Sequence, residues 1–254
     1  MVKRSTSAPS PLSPTLWPAD AFRWYASLAF ALALAAAFVI PSIIFSTWIV
    51  LTYHTRTIAN VPVGAVIAGQ LLAYVPVLAV LYFGLPALAR RSWRELGLRV
   101  PGPREIGWGL LGTAAMFAIA QAIGAIEESV FHFKLRESAV DILRHAHGAD
   151  LAGFAFVAVI AAPLVEESIF RGFFFNAFLR YMPAVVAGLL SATLFGFLHY
   201  AESPTVVLPL IGAGAALAWV YYRSGALIST IIAHGTFNAI TVLAVMVQGG
   251  AGAK

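Results

Sequence analysis

The residues Glu-Glu-Ser occur twice in this sequence, with the carboxylates at Glu127 and Glu128 and again at Glu166 and Glu167. Adjacent carboxylates are unexpected in a chain that is 60% hydrophobic and only 11% charged. A carboxylate held away from water can serve as a general acid or base near neutral pH, which is the chemistry that hydrolysis needs. The first question is therefore which pair lies in an apolar environment.

The position of each pair along its predicted membrane span separates the two. Glu127 and Glu128 close the third span, and the polar stretch HFKLRES follows within a few residues, so we expect both to reach water at an ordinary helix end. Glu166 and Glu167 lie about sixteen residues into the fourth span, roughly 24 Å along its axis. Charges at that depth are costly, so the second pair is the functional candidate.

Neighbours on the same helix give Glu166 and Glu167 different predicted roles. Adjacent helical residues point about 100° apart, and Glu167 has Arg171 four positions later, where side chains meet. The opposite charges of Glu167 and Arg171 can neutralise each other and hold the helix in one orientation. Glu166 has no local counter-charge and is the candidate general base. The alternative is that all three residues only join helices, although two acids against one base make that arrangement costly.

Two histidines and an asparagine lie inside later spans. FGFLH places Phe195 and His199 on one helical face, and HGTFN does the same for His234 and Asn238. An imidazole can share a water with Glu166 or bind a metal ion, and an Asn side chain can donate to a developing oxyanion. A single histidine in a bundle is more often a hydrogen-bond partner, but the whole set fits water activation and carbonyl polarisation.

Composition defines the class of protein. The 254 residues include several apolar runs that exceed the roughly 20 residues needed to cross a bilayer as helix. The sequence therefore predicts a polytopic, all-α membrane protein. The formal net charge is +5, but the basic residues lie in loops between apolar runs, so no nucleic-acid partner is expected. Cysteine is absent, which removes disulfides, thiolate metal sites and cysteine nucleophiles.

We expect a transmembrane bundle of about seven spans. A polar, proline-rich tail over residues 1–25 should be disordered, residues 26–128 should hold the N-terminal spans, and residues 150–247 should form the core with the candidate residues. The fourth span should continue as helix to about Arg180, because Pro183 gives the next break. The predicted spans are 26–52, 61–89, 105–128, 150–172, 183–203, 205–222 and 226–247.

Basic residues predict the orientation. The N-terminal tail and the loop RRSWRELGLRVPGPRE, residues 90–105, both collect arginines and are separated by two spans, so they lie on one side. By the positive-inside rule, that side is the cytoplasm. Since an alanine-rich chain without organelle signals suggests a bacterium, we expect an inner-membrane protein with a cytoplasmic N-terminus.

Three of these stretches resemble a known family. EESIFR, FGFLH and HGTFN match, in order, the Glu-Glu-x-x-x-Arg, Phe-x-x-x-His and His-x-x-x-Asn motifs of the CPBP intramembrane proteases. That family includes the type II CAAX prenyl endopeptidases and proteins of bacteriocin processing and self-immunity. The match covers roughly residues 150–245.

The resemblance implies a role for each matched residue. It implies that Glu166 and His199 activate the attacking water and that His234 and Asn238 stabilise the tetrahedral oxyanion. Glu167 and Arg171 would support the site. It also implies a helical membrane fold with a water-filled cavity at these residues. The list of site residues is Glu166, His199, His234, Asn238, Glu167 and Arg171.

The cofactor is either none or Zn²⁺. Glu166, His199 and His234 with a water would suit catalytic zinc, as in a metalloprotease. The resemblance assigns His234 to the oxyanion, which favours a metal-free site. The sequence has no His-Glu-x-x-His, Gly-x-Gly-Asp or Gly-x-Ser-x-Gly motif. Its lysines, at positions 3, 134 and 254, all lie outside the spans, which excludes a buried Ser–Lys dyad.

The leading functional hypothesis is an intramembrane endopeptidase that hydrolyses a peptide bond in a membrane-associated or lipidated protein or peptide. An alternative is a non-catalytic binding or immunity protein that keeps the same residues. A proton-coupled transporter with Glu166 and His199 as a relay is a third hypothesis. Transporters of that kind have repeated or discontinuous helices, and no such pattern is evident.

The depths of His199 and His234 conflict if every span simply crosses the membrane. His199 would lie nearer the outer end of its helix and His234 slightly to the cytoplasmic side of centre, an offset of roughly 10 Å by helical rise. Helix tilt can absorb part of this offset, so we expect tilted helices or shifted span boundaries.

Overall fold

The computed structural model describes residues 18–55, 60–132, 143, 146–200 and 203–251. Within these ranges all regular structure is helical, as predicted. A short 3₁₀ turn, Pro204–Val206, leads into the sixth helix. The helices are α1 Trp24–Tyr53, α2 Val63–Ala89, α3 Pro103–Phe131, α4 Gly148–Leu179, α5 Ala184–Leu198, α6 Val207–Ser224 and α7 Leu227–Ala251.

Six of these helices, all except α5, are long and apolar enough to cross a membrane. The 15 residues of α5 rise only about 22 Å, less than the roughly 30 Å thickness of the hydrocarbon core. The predicted fifth span, 183–203, is therefore wrong at its end, because the helix stops at Leu198. An apolar run does not reveal where its helix ends. The extended backbone at Ser203 follows from the restriction that Pro204 places on the preceding residue.

Helix α4 runs without interruption to Leu179, which confirms the predicted continuation toward Arg180. Two stretches of α4, Val157–Ala161 and Ser168–Phe175, form wider π-helical turns. Such turns break the regular i to i−4 hydrogen-bond ladder and are frequent at functional sites. Pro163 lies between them and has no N–H to donate to a carbonyl one turn earlier. The α4 backbone therefore offers carbonyls to other elements.

Helix α6 lies at the centre of the bundle and packs against α3, α5 and α7. Buried residues occur along its whole length, from Val207 to Ser224. Helix α1 packs on α2 at the edge of the bundle, and most of its large apolar side chains are exposed. That exposure suits a helix bordered by lipid, because lipid tails are as apolar as leucine.

The loop of residues 90–102, called the arginine loop below, packs on the start of α7. Leu96 is buried, and Gly97 has a φ of +88°, a backbone conformation that favours glycine. The carbonyl of Gly97 accepts a hydrogen bond from the N–H of Ile228 at 3.0 Å. The loop is therefore a folded part of the bundle.

Residues 18–23 also pack on this end of the bundle. Ala21 and Phe22 are buried, and the N–H of Phe22 donates to the carbonyl of Leu88 at 3.1 Å. The last residues of the predicted tail are thus folded. The prediction of disorder over residues 1–17 falls outside the described residues.

Gly97→Ala should destabilise the protein. The added methyl group would lie 2.4 Å from the Cα of Ala226, and the strained backbone alone costs about 1–3 kcal/mol. Gly107→Ala on α3 is the matched control, since nothing from another element would lie within 4 Å of its methyl group. Thermal unfolding in detergent, followed by circular dichroism, should show a lower midpoint for Gly97→Ala alone. Equal midpoints would contradict this description of the loop.

Candidate active site

The carboxylate of Glu167 is the centre of a buried polar cluster. One oxygen, Oε1, accepts hydrogen bonds from Nη1 of Arg171 and from Nδ1 of His234, each at 2.9 Å. The side chains of Glu167 and Arg171 are 0% exposed, and that of His234 is 6% exposed. The pairing of Glu167 with Arg171 follows from their i, i+4 spacing, but the contact with α7 could not be read from that spacing.

Arg171 links three helices. Its Nη2 donates to the carbonyl of Gly214 on α6 at 2.9 Å, and its guanidinium lies 4.9 Å from the centre of the Phe195 ring on α5. Arginine suits this position because a planar cation can pair with a carboxylate and stack on an aromatic face together. Oε2 of Glu167 and Nε of Arg171 are buried without a hydrogen-bond partner among the described residues.

Glu166 faces away from this pair and toward the other nitrogen of His234. Its Oε2 lies 3.9 Å from Nε2 of His234, and its side chain is 13% exposed. His234 therefore lies between the two carboxylates. Because Nδ1 is held by Glu167, Nε2 is the ring nitrogen directed at Glu166. The ion-pair contact that Glu166 makes among the described residues thus comes from α7.

His199 and His234 both contact the ring of Phe195, each edge to face, with ring centres 5.1 and 5.6 Å away. Nδ1 of His199 lies 3.0 Å from the carbonyl of Phe195, which orients the imidazole. Since both imidazoles contact the same Phe195 ring, His199 lies at the same level of the bundle as His234. This resolves the conflict in depth between the two histidines. No direct hydrogen bond between His199 and Glu166 occurs among the described contacts.

Asn238 joins α7 to the first π-helical stretch of α4. Its Nδ2 donates to the carbonyl of Ala158 at 2.7 Å. A side chain at Gly235 would meet the carbonyl oxygen of Val159 at 2.6 Å, so glycine permits this approach of the two backbones. Pro163 has no N–H, so it leaves a carbonyl of this turn without its helical donor. The α4 backbone can therefore accept a hydrogen bond from α7, the helix that carries His234 and Asn238.

Three polar residues that the sequence analysis did not single out support Arg171. Ser191 Oγ donates to the carbonyl of Phe170 at 2.7 Å. The amide of Asn176 donates to the carbonyls of Arg171 and Gly172 at 3.1 and 2.9 Å and contacts the Tyr221 hydroxyl at 3.1 Å. These groups bind three consecutive carbonyls of the second π-helical stretch. An asparagine five residues after Arg171 inside a span was a signal that could have been used.

The first Glu-Glu pair is not part of this cluster. Glu128 is exposed, whereas Glu127 is 5% exposed and its Oε2 has no partner among the described residues. The prediction that both reach water is therefore wrong for Glu127. Helix α3 continues to Phe131, beyond the predicted end at residue 128. That extension places Glu127 a full turn inside the helix.

The described residues form no cluster of three potential metal ligands. Within the described ranges, no three His, Cys, Asp or Glu side chains come together in a way that could hold a metal ion. Of the proposed ligands, Glu166 and His234 are neighbours, while His199 is turned to the backbone of its own helix. The zinc alternative stays a prediction, and we derive no chemical step through a metal.

A groove of about 350 Å³ lies between α1 and α2, lined by apolar residues that include Phe45, Trp48 and Leu72. It contains none of the candidate site residues. The water-filled cavity that the resemblance implies at Glu166 stays a prediction.

The fold and the site together define a class of protein. It is an integral membrane protein of helices in which a buried set of two carboxylates, an arginine and two histidines joins α4, α5 and α7 around α6. Residues 148–240 match the family described as type II CAAX prenyl endopeptidase Rce1-like. The resemblance seen in the three motifs is thereby confirmed for this part of the chain.

A curated relative matches over a similarly limited length. The UPF0177 protein YaiF of Lactococcus lactis subsp. lactis is 38% identical over 88 residues, which is 34% of this chain and 38% of the relative. The chain thus aligns with well under half of that protein. No solved structure matches.

The Glu167–Arg171 pair should show strong coupling in a double-mutant cycle. Arg171→Met leaves a buried carboxylate unpaired and Glu167→Gln leaves a buried cation unpaired, and breaking such a pair costs about 3–5 kcal/mol. The double variant should therefore lose much less than the sum of the two single losses. The measurement is equilibrium unfolding in detergent. Additive losses would show that the pair contributes little to the fold.

Proposed function

We propose that the protein is an intramembrane endopeptidase that hydrolyses a peptide bond of a membrane-associated or lipidated substrate through a water activated at Glu166. The observation that carries the proposal is the position of His234 between two carboxylates, of which Glu167 also pairs with Arg171 and Glu166 does not. The match of residues 148–240 to an endopeptidase family supports the same reaction class.

Glu166 and His234 are placed to exchange a proton through one water. Glu167 is committed to Arg171, whereas Oε2 of Glu166 faces Nε2 of His234 at 3.9 Å. A carboxylate and an imidazole at one site can accept and return protons during a reaction.

The distance between Glu166 and His234 suits a bridging water. At 3.9 Å, Oε2 and Nε2 are too far apart for a good direct hydrogen bond, but one water can lie about 2.8 Å from both. Glu166 would take a proton as the water oxygen attacks the peptide carbonyl carbon. His199, at the edge of the same cluster, is the second group proposed to orient this water.

The tetrahedral intermediate needs donors for its oxyanion. When its ring carries both protons, His234 donates Nδ1–H to Glu167 and has Nε2–H available for the oxyanion. Asn238 uses one amide hydrogen on the carbonyl of Ala158, and its second hydrogen is available. Collapse of the intermediate breaks the C–N bond, and the proton held by Glu166 passes to the leaving amine.

Glu166→Gln should abolish cleavage while leaving the protein folded. The amide keeps the shape of the side chain but cannot accept the water proton, and a general base contributes about 10²–10⁴-fold. Glu128→Gln is the matched control, since it changes an exposed carboxylate of the other Glu-Glu pair. The measurement is turnover of a fluorogenic peptide library by each variant in lipid, alongside the wild type.

The pattern of activities separates the hypotheses. Loss in Glu166→Gln with wild-type turnover in Glu128→Gln supports the proposal, and turnover by Glu166→Gln refutes the assignment of the base. If the wild type cuts nothing yet both it and Glu166→Gln retain the same bound partner, the non-catalytic binding or immunity hypothesis is favoured instead.

Cleavage should survive removal of metal ions. We propose a metal-free mechanism because Glu166 and His234 already lie at a distance that one water can bridge and His199 is held by its own backbone. Dialysis against a chelator should leave turnover unchanged, with a zinc peptidase in the same buffer as the control. Loss of turnover that Zn²⁺ restores would contradict this part of the proposal.

A further inference from the structure

We propose that α3 and α6, at the end of the bundle that carries the arginine loop, together bind the head group of an anionic phospholipid. Arg104 and Arg223 hold the phosphate of this lipid, and the indoles of Trp108 and Trp219 pack against the part of the lipid beneath it. This lipid site contains none of the candidate catalytic residues. The proposal therefore does not depend on the function proposed above.

A contact between two tryptophans brings the two arginines to one place. The rings of Trp108 on α3 and Trp219 on α6 lie 5.4 Å apart, edge to face. Arg104 precedes Trp108 by four residues and Arg223 follows Trp219 by four, so each arginine shares a helix face with its tryptophan. Helix α3 follows the arginine loop and α6 ends beside Gly97 of that loop. Both arginines therefore lie on the loop side of the indole pair.

The two arginines carry charge that the described residues do not offset. Both are exposed, and no ion pair of Arg104 or Arg223 with a carboxylate occurs in the described part of the chain. The carboxylates described at this end each lie beside a different arginine: Asp20 beside Arg90, Glu95 beside Arg91 and Glu105 beside Arg99. Two guanidinium groups on one surface suit a phosphate, whose oxygens they can bind in a bidentate manner.

The stability of α3 does not explain the position of Arg104. This residue lies in the first turn of the helix, where the helix dipole disfavours a cation. Arg223, in the last turn of α6, is by contrast favoured by the dipole of its helix. The positive-inside rule calls for basic residues at this end of the bundle but for no particular position. An anion held between Arg104 and Arg223 accounts for the position.

Gly107 leaves open space beside Arg104 and Trp108. It lies three residues after Arg104, on the same side of α3, and it is exposed. A Cβ added at Gly107 would meet no atom of another described element within 4 Å. Glycine weakens a helix interior relative to alanine, and no close contact requires it here. The open surface admits the glycerol group and upper acyl chain of a lipid whose phosphate lies at Arg104.

The depth of these residues fits a lipid at the membrane interface. Trp108 and Trp219 each lie five residues inside the end of their helix, roughly 7.5 Å from it, and Trp219 is 42% exposed. Tryptophan is enriched at this level of a membrane. The positive-inside rule assigns the arginine-loop end to the cytoplasm, where anionic lipids attract basic residues. A phospholipid uses both the arginines and the indoles, whereas a free phosphate uses only the arginines.

Binding of dioctanoyl phosphatidylglycerol to the full chain in detergent tests the lipid site. Native mass spectrometry gives the number of bound lipids and their dissociation constants. Arg104→Gln and Arg223→Gln should each weaken binding about tenfold, because each removes hydrogen bonds between charged groups. Arg94→Gln is the matched control, since it removes one charge from an exposed arginine at the same end and should bind the lipid as the wild type does.

Gly107→Leu tests the open space without any change in charge. The leucine side chain fills the surface beside Trp108, so lipid binding should again fall about tenfold, while leucine suits a helix better than glycine does. Thermal unfolding followed by circular dichroism establishes that each variant is folded. Arg104→Lys, which keeps the charge but not the bidentate geometry, replaces Arg104→Gln if that variant does not fold, and should also weaken binding.

Four results would overturn the proposal. An equal loss in Arg94→Gln would mean that the lipid responds only to overall charge, and unchanged binding in Gly107→Leu would mean that it does not occupy this surface. Equal affinity for dioctanoyl phosphatidylcholine would show no preference for an anionic head group. Equal competition by glycerophosphoglycerol, the head group without acyl chains, would assign the arginines to a soluble phosphate. None of these measurements uses catalysis, so a failure of the proposed function would leave them unaffected.

Discussion

The interaction on which the rest of the site depends is the ion pair of Glu167 with Arg171, enclosed where no water competes. Both side chains are 0% exposed, so each donor and acceptor that they use has to come from protein. His234 provides one donor and the carbonyl of Gly214 one acceptor. Helices α4, α6 and α7 are thereby fixed relative to one another by contacts that a shift of one helix would leave unpaired, at a cost of several kcal/mol.

The backbone of α4 is adapted to this requirement. A regular helix pairs its interior carbonyls with its own N–H groups. The two π-helical stretches and Pro163 release carbonyls at two places. At the first, Ala158 receives Asn238 from α7, and at the second, Ser191 and Asn176 bind the carbonyls around Arg171. Irregular backbone is tolerated at membrane depth only where it is buried in protein, and here it sets the positions of the polar side chains.

The number of helices and their order were predictable from the sequence because the bilayer imposes long apolar helices. The i, i+4 pairing of Glu167 with Arg171 is local and was equally accessible. Features that depend on contacts between helices were not. The burial of Glu127, the end of α5 at Leu198 and the place of His234 between two carboxylates depend on packing across helices. A hydropathy pattern describes each helix alone. It therefore predicted different depths for His199 and His234, whereas in the structure both rings contact Phe195 at the end of the short helix α5.

The adjacent glutamates occupy two different environments. Side chains of neighbouring helical residues diverge by about 100°, so when Glu167 points into the sealed interior, Glu166 must point toward the less enclosed side. Arg171 can neutralise only one of them, and it is committed to Glu167 through a second bond to Gly214. His234, held by Glu167 through Nδ1, is the group that faces Glu166 through Nε2. A site with one carboxylate would lack either the support for the imidazole or the base, so that the proposed chemistry requires both glutamates on consecutive residues.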